Sequence, residues 1–370
     1  MTDRILARAR PAIRALQPYQ PGKPVEELER ELGIRAALKL ASNENPRGPG
    51  PAVHKALARA GEALNRYPDG NGFELKRALA ERLDVDPAMI TLGNGSNDVL
   101  ELLGRVFVGP GDRGVVDAHS FVVYPLAITS SGGEIVRVPS KHYGHDLEAM
   151  AAAVDARTRI MFVANPNNPT GTRVTEAEVR KFLASVPDDV VVVLDEAYFE
   201  YVEAPDHPDG IRLLADHPNL VVTRTFSKIY GLSALRLGWA YCPAAVTDVL
   251  HRVRGPFNVN ALAQAAGVEA VRDQAFIEKA REHNDKWLPI LTQSLRGMGL
   301  EVTPSVGNFL LIDFRDSGKT AAEAEQYLSA KGLLLRAVAG YGLPTCLRMT
   351  IGLETENHAV IEALRQLLGK

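Results

Sequence analysis

Four short clusters in this 370-residue chain place reactive side chains directly after apolar runs. The first is Thr225-Phe226-Ser227-Lys228, with Arg236 eight residues on, following Leu220-Val221-Val222-Thr223. A lysine at such a position can serve as an amine nucleophile or base when burial lowers its pKa. Left on a surface, it is only a solvated charge. The second cluster is Asp195-Glu196-Ala197-Tyr198, after the run Val190 to Leu194. Its carboxylate can cap a helix, bind a metal or pair with a ligand cation. The metal reading is disfavoured because no His or Cys ligand set accompanies it. The third, Asn165-Pro166-Asn167-Asn168-Pro169-Thr170-Gly171, follows Ile160-Met161-Phe162-Val163. Its prolines cannot donate to a sheet, so the chain must leave the sheet there. The Asn side chains then stand at a strand's C-terminal end, where open α/β sheets bind ligands. The fourth, Gly93-Asn94-Gly95-Ser96-Asn97-Asp98, lies between an apolar segment and a helical one. Free N–H groups at such a helix start suit a phosphate.

Two familiar phosphate signatures fail. Asp98 takes the last glycine position of the dinucleotide fingerprint, and Asp313 stands where a P-loop ending in Gly318-Lys319-Thr320 needs its first glycine. Taken together, the four clusters supply a different set of parts. Gly95, Ser96, Asn97, Thr225, Ser227 and Arg236 would cradle a phosphate. Asp195 would face a ring nitrogen, Asn168 and Tyr198 would supply hydrogen bonds, and Lys228 would form a Schiff base. Pyridoxal 5'-phosphate needs such a set, because its protonated ring acts as an electron sink.

The elements that must hold these residues are legible from hydrophobic pattern. Runs at 114–116, 135–138, 160–163, 190–194, 220–223 and 238–242 read as buried strands, with another at 89–92. Helical periods near 97–108, 122–131, 146–154 and 175–186 lie between them. Continuous Val/Ile/Leu strands alternating with helices predict a mainly parallel α/β sheet covered on both faces. After Asn260 a long helical stretch runs toward Leu295. A smaller α+β set follows: strands near 309–313, 333–336 and 347–351, and helices near 321–331 and 355–368. Pro18, Pro21 and Pro24 predict an extended N-terminal arm, and Pro46 to Pro51 a turn. The expected division is a large domain at 46–255, with 1–45 and 256–370 forming the arm and a small C-terminal domain.

At about 150 residues per domain the length allows two to three domains. Lys plus Arg number 42 and Asp plus Glu 45, a net charge of −3, so the basic excess of a general nucleic-acid binder is missing. No apolar run reaches the roughly 18 residues of a membrane span. Two cysteines, Cys242 and Cys346, make no disulfide framework or metal motif, which suits a reducing cytoplasm. Arg4, Arg8, Arg10 and Arg14 have the look of a mitochondrial presequence, but Asp3 and the absence of a Ser-rich stretch argue against it.

The sequence resembles the fold-type I, pyridoxal-phosphate-dependent aminotransferases of class II, and most narrowly the histidinol-phosphate aminotransferase family. The matching segments are Pro18 to Pro24, Leu40-Ala41-Ser42-Asn43-Glu44-Asn45-Pro46, Arg66-Tyr67-Pro68-Asp69-Gly70, Asn165 to Gly171, Arg224 to Gly231 and Leu347-Arg348-Met349-Thr350-Ile351-Gly352. The resemblance implies a seven-stranded sheet and transamination of L-histidinol phosphate with 2-oxoglutarate, giving imidazole-acetol phosphate and glutamate in histidine biosynthesis. It implies that Lys228 carries the cofactor and shuttles the α-proton, that Asp195 pairs with the pyridine nitrogen, and that Asn168 and Tyr198 bond the ring hydroxyl. Tyr67 would reach the phosphate in the neighbouring subunit of a homodimer. Arg348 would bind a substrate carboxylate, with Tyr19 and Arg336 also at the substrate end. Phe121 stands where many members place Tyr or Trp over the ring, and Tyr124 is a candidate for the polar tip that Phe121 lacks.

Three other readings stay open on the residues: an aromatic amino-acid aminotransferase, a decarboxylase of a phosphorylated amino acid, and a non-enzymatic regulator on the same scaffold. The last would need a DNA-binding module, for which the pattern starting at Pro18 leaves no room.

Overall fold

A computed structural model describes residues 2–16, 18 and 22–370. Its largest sheet has seven strands, in spatial order Ile90–Gly93, Gly238–Tyr241, Leu220–Thr225, Val191–Asp195, Thr158–Ala164, Arg113–Asp117 and Glu134–Val138. Every neighbouring pair is parallel except the two made by Gly238–Tyr241. That strand returns antiparallel because residues 226–237 form no crossover helix; they hold the Lys228 turn and a short 3-10 helix, Ser233–Leu235.

Strand side chains alternate between two cores, as the period of two requires. Met161, Val163, Val192, Leu194 and Val222 enter one core. Ile160, Phe162, Val191, Val193 and Val221 enter the other. Burial on both faces explains why these strands are unbroken apolar runs. The register sets Ala164 beside Asp195, and Asp195 beside Thr223. The chain therefore leaves the sheet for the Asn-rich loop next to the carboxylate.

A second, four-stranded antiparallel sheet is ordered Arg336–Ala337, Cys346–Thr350, Phe309–Asp313 and Glu301–Val302. It packs with Trp287, Leu291, Leu295, Val360 and Leu364 into its own core. Leu38–Lys39 pairs in parallel with Leu333–Leu334, which ties the N-terminal segment to this part of the molecule.

Two expectations about elements need correction. The helical stretch after Asn260 is two helices, Ala261–Arg272 and Gln274–Gly297; Asp273 interrupts them and caps the second by accepting from the Phe276 N–H at 3.1 Å. The strand expected at 333–336 is two pieces belonging to different sheets, split at Leu335. Pro18 and Pro24 lie outside any helix or strand, as an extended arm requires, and Pro21 lies outside the described residues. Helices Pro11–Ala15, Val25–Leu32 and Pro51–Gly61 start at or beside prolines, because proline is pre-set for the first helical turn. Among the described residues no helix is long and apolar enough to cross a membrane.

Candidate active site

The C-terminal ends of the parallel strands open into a cavity of about 160 Å³ lined by Lys228, Asp195, Tyr198, Asn168, Arg236 and Phe121, among others. Asp195 forms its floor. One carboxylate oxygen accepts from Thr223 Oγ1 at 2.9 Å and the other from the Tyr124 hydroxyl at 2.6 Å. Burial pushes the Asp195 pKa up, and the bonds from Tyr124, Thr223 and the Ala197 N–H offset only part of that rise. Burial and the neighbouring Asp195 charge hold the Tyr124 phenol well above its ordinary pKa, so it stays a neutral donor. Its ring lies parallel to Phe162 at 4.8 Å and edge-on to Phe121 at 5.7 Å. The Tyr124 hydroxyl is therefore committed to Asp195 rather than offered over the cavity as a polar tip.

Lys228 sits in the turn after Leu220–Thr225, and its Nζ donates to the Ser42 carbonyl at 3.2 Å. Burial first, then the Arg348 guanidinium, pushes its pKa down to about 7, against an opposing pull from Glu44. An amine with this pKa is available as a base and nucleophile near neutrality.

A candidate anion cradle lines the same cavity. The helix Ser96–Phe107 begins there, with Gly95 at φ 82° as its N-cap. A side chain at Gly95 would strike the guanidinium of Arg236, since a Cβ would come within 2.4 Å of Nη2. Gly238 is equally constrained, because a Cβ there would meet the Ser96 nitrogen at 2.1 Å. Arg236 donates from Nη1 to Ser227 Oγ at 3.3 Å and to the Ser233 carbonyl at 3.0 Å. Thr225 Oγ1 accepts from the Ser227 N–H at 3.1 Å, and Asn97 completes the wall. A helix N-terminus facing a guanidinium favours an anion.

The remaining wall includes the Asn-rich loop, which Arg348 of the smaller sheet braces from behind the lining residues. Asn165 bonds the Val174 backbone within the loop, and Asn167 Nδ2 donates to Thr170 Oγ1 at 2.9 Å and to the His119 carbonyl at 3.4 Å. Only Asn168 of the three lines the cavity. Buried Arg348 donates to Asn168 Oδ1 at 2.5 Å and to the Ala41 carbonyl at 2.6 Å. A guanidinium only donates, so the amide oxygen of Asn168 faces it and the NH₂ group faces elsewhere. Tyr198 is buried and accepts from Asn43 Nδ2 at 2.9 Å.

Two of the expected substrate-end or partner residues, Arg336 and Tyr67, are not among those lining this cavity. Arg336 is the cross-strand partner of Arg348 but lines an adjacent hollow with Gly22 and Lys23. Tyr67 is 83% exposed, stacks on Phe257 at 4.7 Å and is not among the residues lining its own chain's cavity. Tyr19 lies outside the described residues. Thr223 and Asn43 were not singled out as site residues from the sequence. Thr223 becomes visible once the register beside Asp195 is known, and Asn43 through its left-handed backbone at φ 54°.

The residues present fit pyridoxal phosphate. An amine of lowered pKa stands in one cavity with a buried carboxylate and an anion cradle whose Arg236 guanidinium a Cβ at Gly95 would strike. The family model for aminotransferases of class I and II matches residues 35–364, and the chain belongs to that family. It is 52% identical to histidinol-phosphate aminotransferase 2 of Pseudomonas aeruginosa, over 100% of this chain and 99% of that one. It is 50% identical to histidinol-phosphate aminotransferase 2 of Pseudomonas fluorescens over the whole of both chains. Among solved structures, histidinol-phosphate aminotransferase from Sinorhizobium meliloti, in complex with pyridoxal-5'-phosphate, superposes with a TM-score of 0.90 at 29% identity, covering 98% of each chain.

Proposed function

We propose that the protein transfers the amino group of L-histidinol phosphate to 2-oxoglutarate, releasing imidazole-acetol phosphate and glutamate as a step of histidine biosynthesis in the cytoplasm. The observation that carries this reading is the meeting of Lys228, Asp195 and Arg236 around one cavity, in a chain half-identical to histidinol-phosphate aminotransferases along its full length. Bound pyridoxal phosphate supplies an electron sink for the bonding pair released at the substrate's α-carbon.

The chain's own groups do the rest. Lys228 Nζ would hold the cofactor and, as a free amine, would move the α-proton. Its pKa of about 7 suits both tasks. Asp195, held by Tyr124 and Thr223, keeps a proton on the ring nitrogen. Asn168 and Tyr198 donate to the ring oxygen. Gly95, Ser96, Asn97, Thr225, Ser227 and Arg236 would hold the phosphate, and Phe121 would stack on the ring. Arg348, with Arg336 and Tyr19, meets the anionic ends of the two substrates, because a guanidinium binds phosphate and carboxylate alike through paired donors. Tyr67 reaches the phosphate of a second copy in a homodimer. In this scheme residues 46–255 act as the cofactor domain, and 1–45 with 256–370 as the arm and the substrate-facing domain.

Steady-state assays of purified protein loaded with pyridoxal phosphate test the substrate. Glutamate should form from histidinol phosphate only when 2-oxoglutarate is present. Release of carbon dioxide from a phosphorylated amino acid, or an equal kcat/KM for phenylalanine, would replace the reading with one of its competitors.

A further inference from the structure

We infer that Asn43 and Thr350 are positioning residues that turn the Tyr198 hydroxyl proton into the cavity. The inference rests on the proposed pyridoxal phosphate site and concerns how one of its donors is aimed.

The direction of each hydrogen bond is set by the atoms that can only donate. The backbone N–H of Asn43 points at Thr350 Oγ1 at 2.8 Å, so that oxygen must accept. The Thr350 hydroxyl proton then goes to the Asn43 side-chain atom 3.2 Å away, which must be the amide oxygen. The other end of the amide, 2.9 Å from the Tyr198 hydroxyl, is therefore NH₂ and donates to it. A flipped amide would offer the Thr350 oxygen two donors and leave its own proton unused, and this hydroxyl is buried. With Asn43 donating to it, the Tyr198 oxygen directs its own proton away from Asn43. Among the described residues no protein group accepts that proton, while Tyr198 lines the cavity. A ring oxygen of the bound cofactor is the acceptor it lacks.

The device spans the fold. Asn43 lies in the N-terminal segment, and Thr350 ends a strand of the smaller sheet. Asn308 also holds the Asn43 carbonyl, donating at 3.1 Å. The backbone of Asn43 is in the left-handed region, which asparagine and glycine tolerate. Glycine there removes the amide while keeping the backbone path.

A hydrogen bond to an anionic oxygen lowers its basicity. Losing the Tyr198 donor should therefore raise the pH midpoint of the visible absorbance change of bound pyridoxal phosphate, which reports the proton shared between Lys228 and that oxygen. The experiment titrates this absorbance in wild-type holoprotein and in the Tyr198→Phe, Asn43→Gly, Thr350→Val, Thr350→Ser and Asn43→Gly/Tyr198→Phe variants. Tyr198→Phe should raise the midpoint on the order of one pH unit. Asn43→Gly and Thr350→Val should each raise it by part of that, and Thr350→Ser should restore the wild-type value. The double variant should match Tyr198→Phe alone, because no proton remains to be aimed. A wild-type midpoint in cofactor-loaded Asn43→Gly or Thr350→Val, or an Asn43→Gly shift that persists in the Tyr198→Phe background, would overturn the inference. Wild-type protein that gains no visible band with pyridoxal phosphate would instead remove the cofactor reading beneath it.

Discussion

Lys228 owes its chemistry to its neighbours. Burial and the Arg348 guanidinium bring it to about pH 7, so its neutral fraction grows as pH rises through that value. Capture of pyridoxal phosphate by the apoprotein should therefore accelerate with pH and level off above about 7, measured by stopped-flow absorbance. Arg348→Met removes the second-largest cause of the depression, so the midpoint should move upward; an unchanged or lower midpoint would refute this account of the lysine. Lys228→Ala should abolish both half-reactions, and a variant that still completes them would exclude the proposed role. At this scale much was legible in sequence, because Lys228 and Asp195 follow apolar strands and residue type with position points to chemistry. Asn43 was not, since its partner Thr350 lies 307 residues away. Tyr124 was ambiguous for the same reason, because only the folded sheet brings its hydroxyl to Asp195, 71 residues on.

Among the elements, the helix starting at Ser96 and the strand Gly238–Tyr241 are pressed together at the phosphate cradle. The contact is so close that a methyl group at Gly238 would lie 2.1 Å from the Ser96 nitrogen. Gly238→Ala should displace that helix start and weaken cofactor binding at least about tenfold, or ~1.4 kcal/mol, in an equilibrium titration with pyridoxal phosphate. Unchanged affinity would detach the cradle from this pair of elements. Phe162 is fully buried and braces the Tyr124 ring, so Phe162→Ala should cost ~3–5 kcal/mol in denaturant unfolding. The strands were readable because burial on both faces leaves unbroken apolar runs. The break at Asp273 was not, since apolar periodicity continues across it and only the cap marks the end of one helix and the start of the next. The split at Leu335 was hidden too, because adjacent residues of one run pair with strands far apart in sequence.

For the molecule as a whole, the sequence pattern separated a larger mainly parallel sheet from a smaller α+β set, whose sheet the structure shows to be antiparallel, and the family's fold is what the structure shows. The pattern could not show how Ala41, Ser42 and Asn43 draw Arg348, Lys228 and Tyr198 together from separate parts of the chain. The proposed homodimer gives a use to the exposed apolar side chains Leu64, Tyr67, Phe73 and Phe257. Sedimentation should show a dimer, and Tyr67→Phe should lower cofactor affinity without lowering the dimer fraction. A monomeric wild-type holoprotein would contradict both. The central claim, amino transfer from histidinol phosphate, is tested most directly by one single-turnover experiment. Holoprotein is mixed in separate shots with histidinol phosphate, phenylalanine, tyrosine and histidine, and cofactor absorbance is followed. The account predicts fast conversion to the pyridoxamine form with histidinol phosphate and much slower conversion with the other three; fast conversion by phenylalanine with none by histidinol phosphate would contradict it.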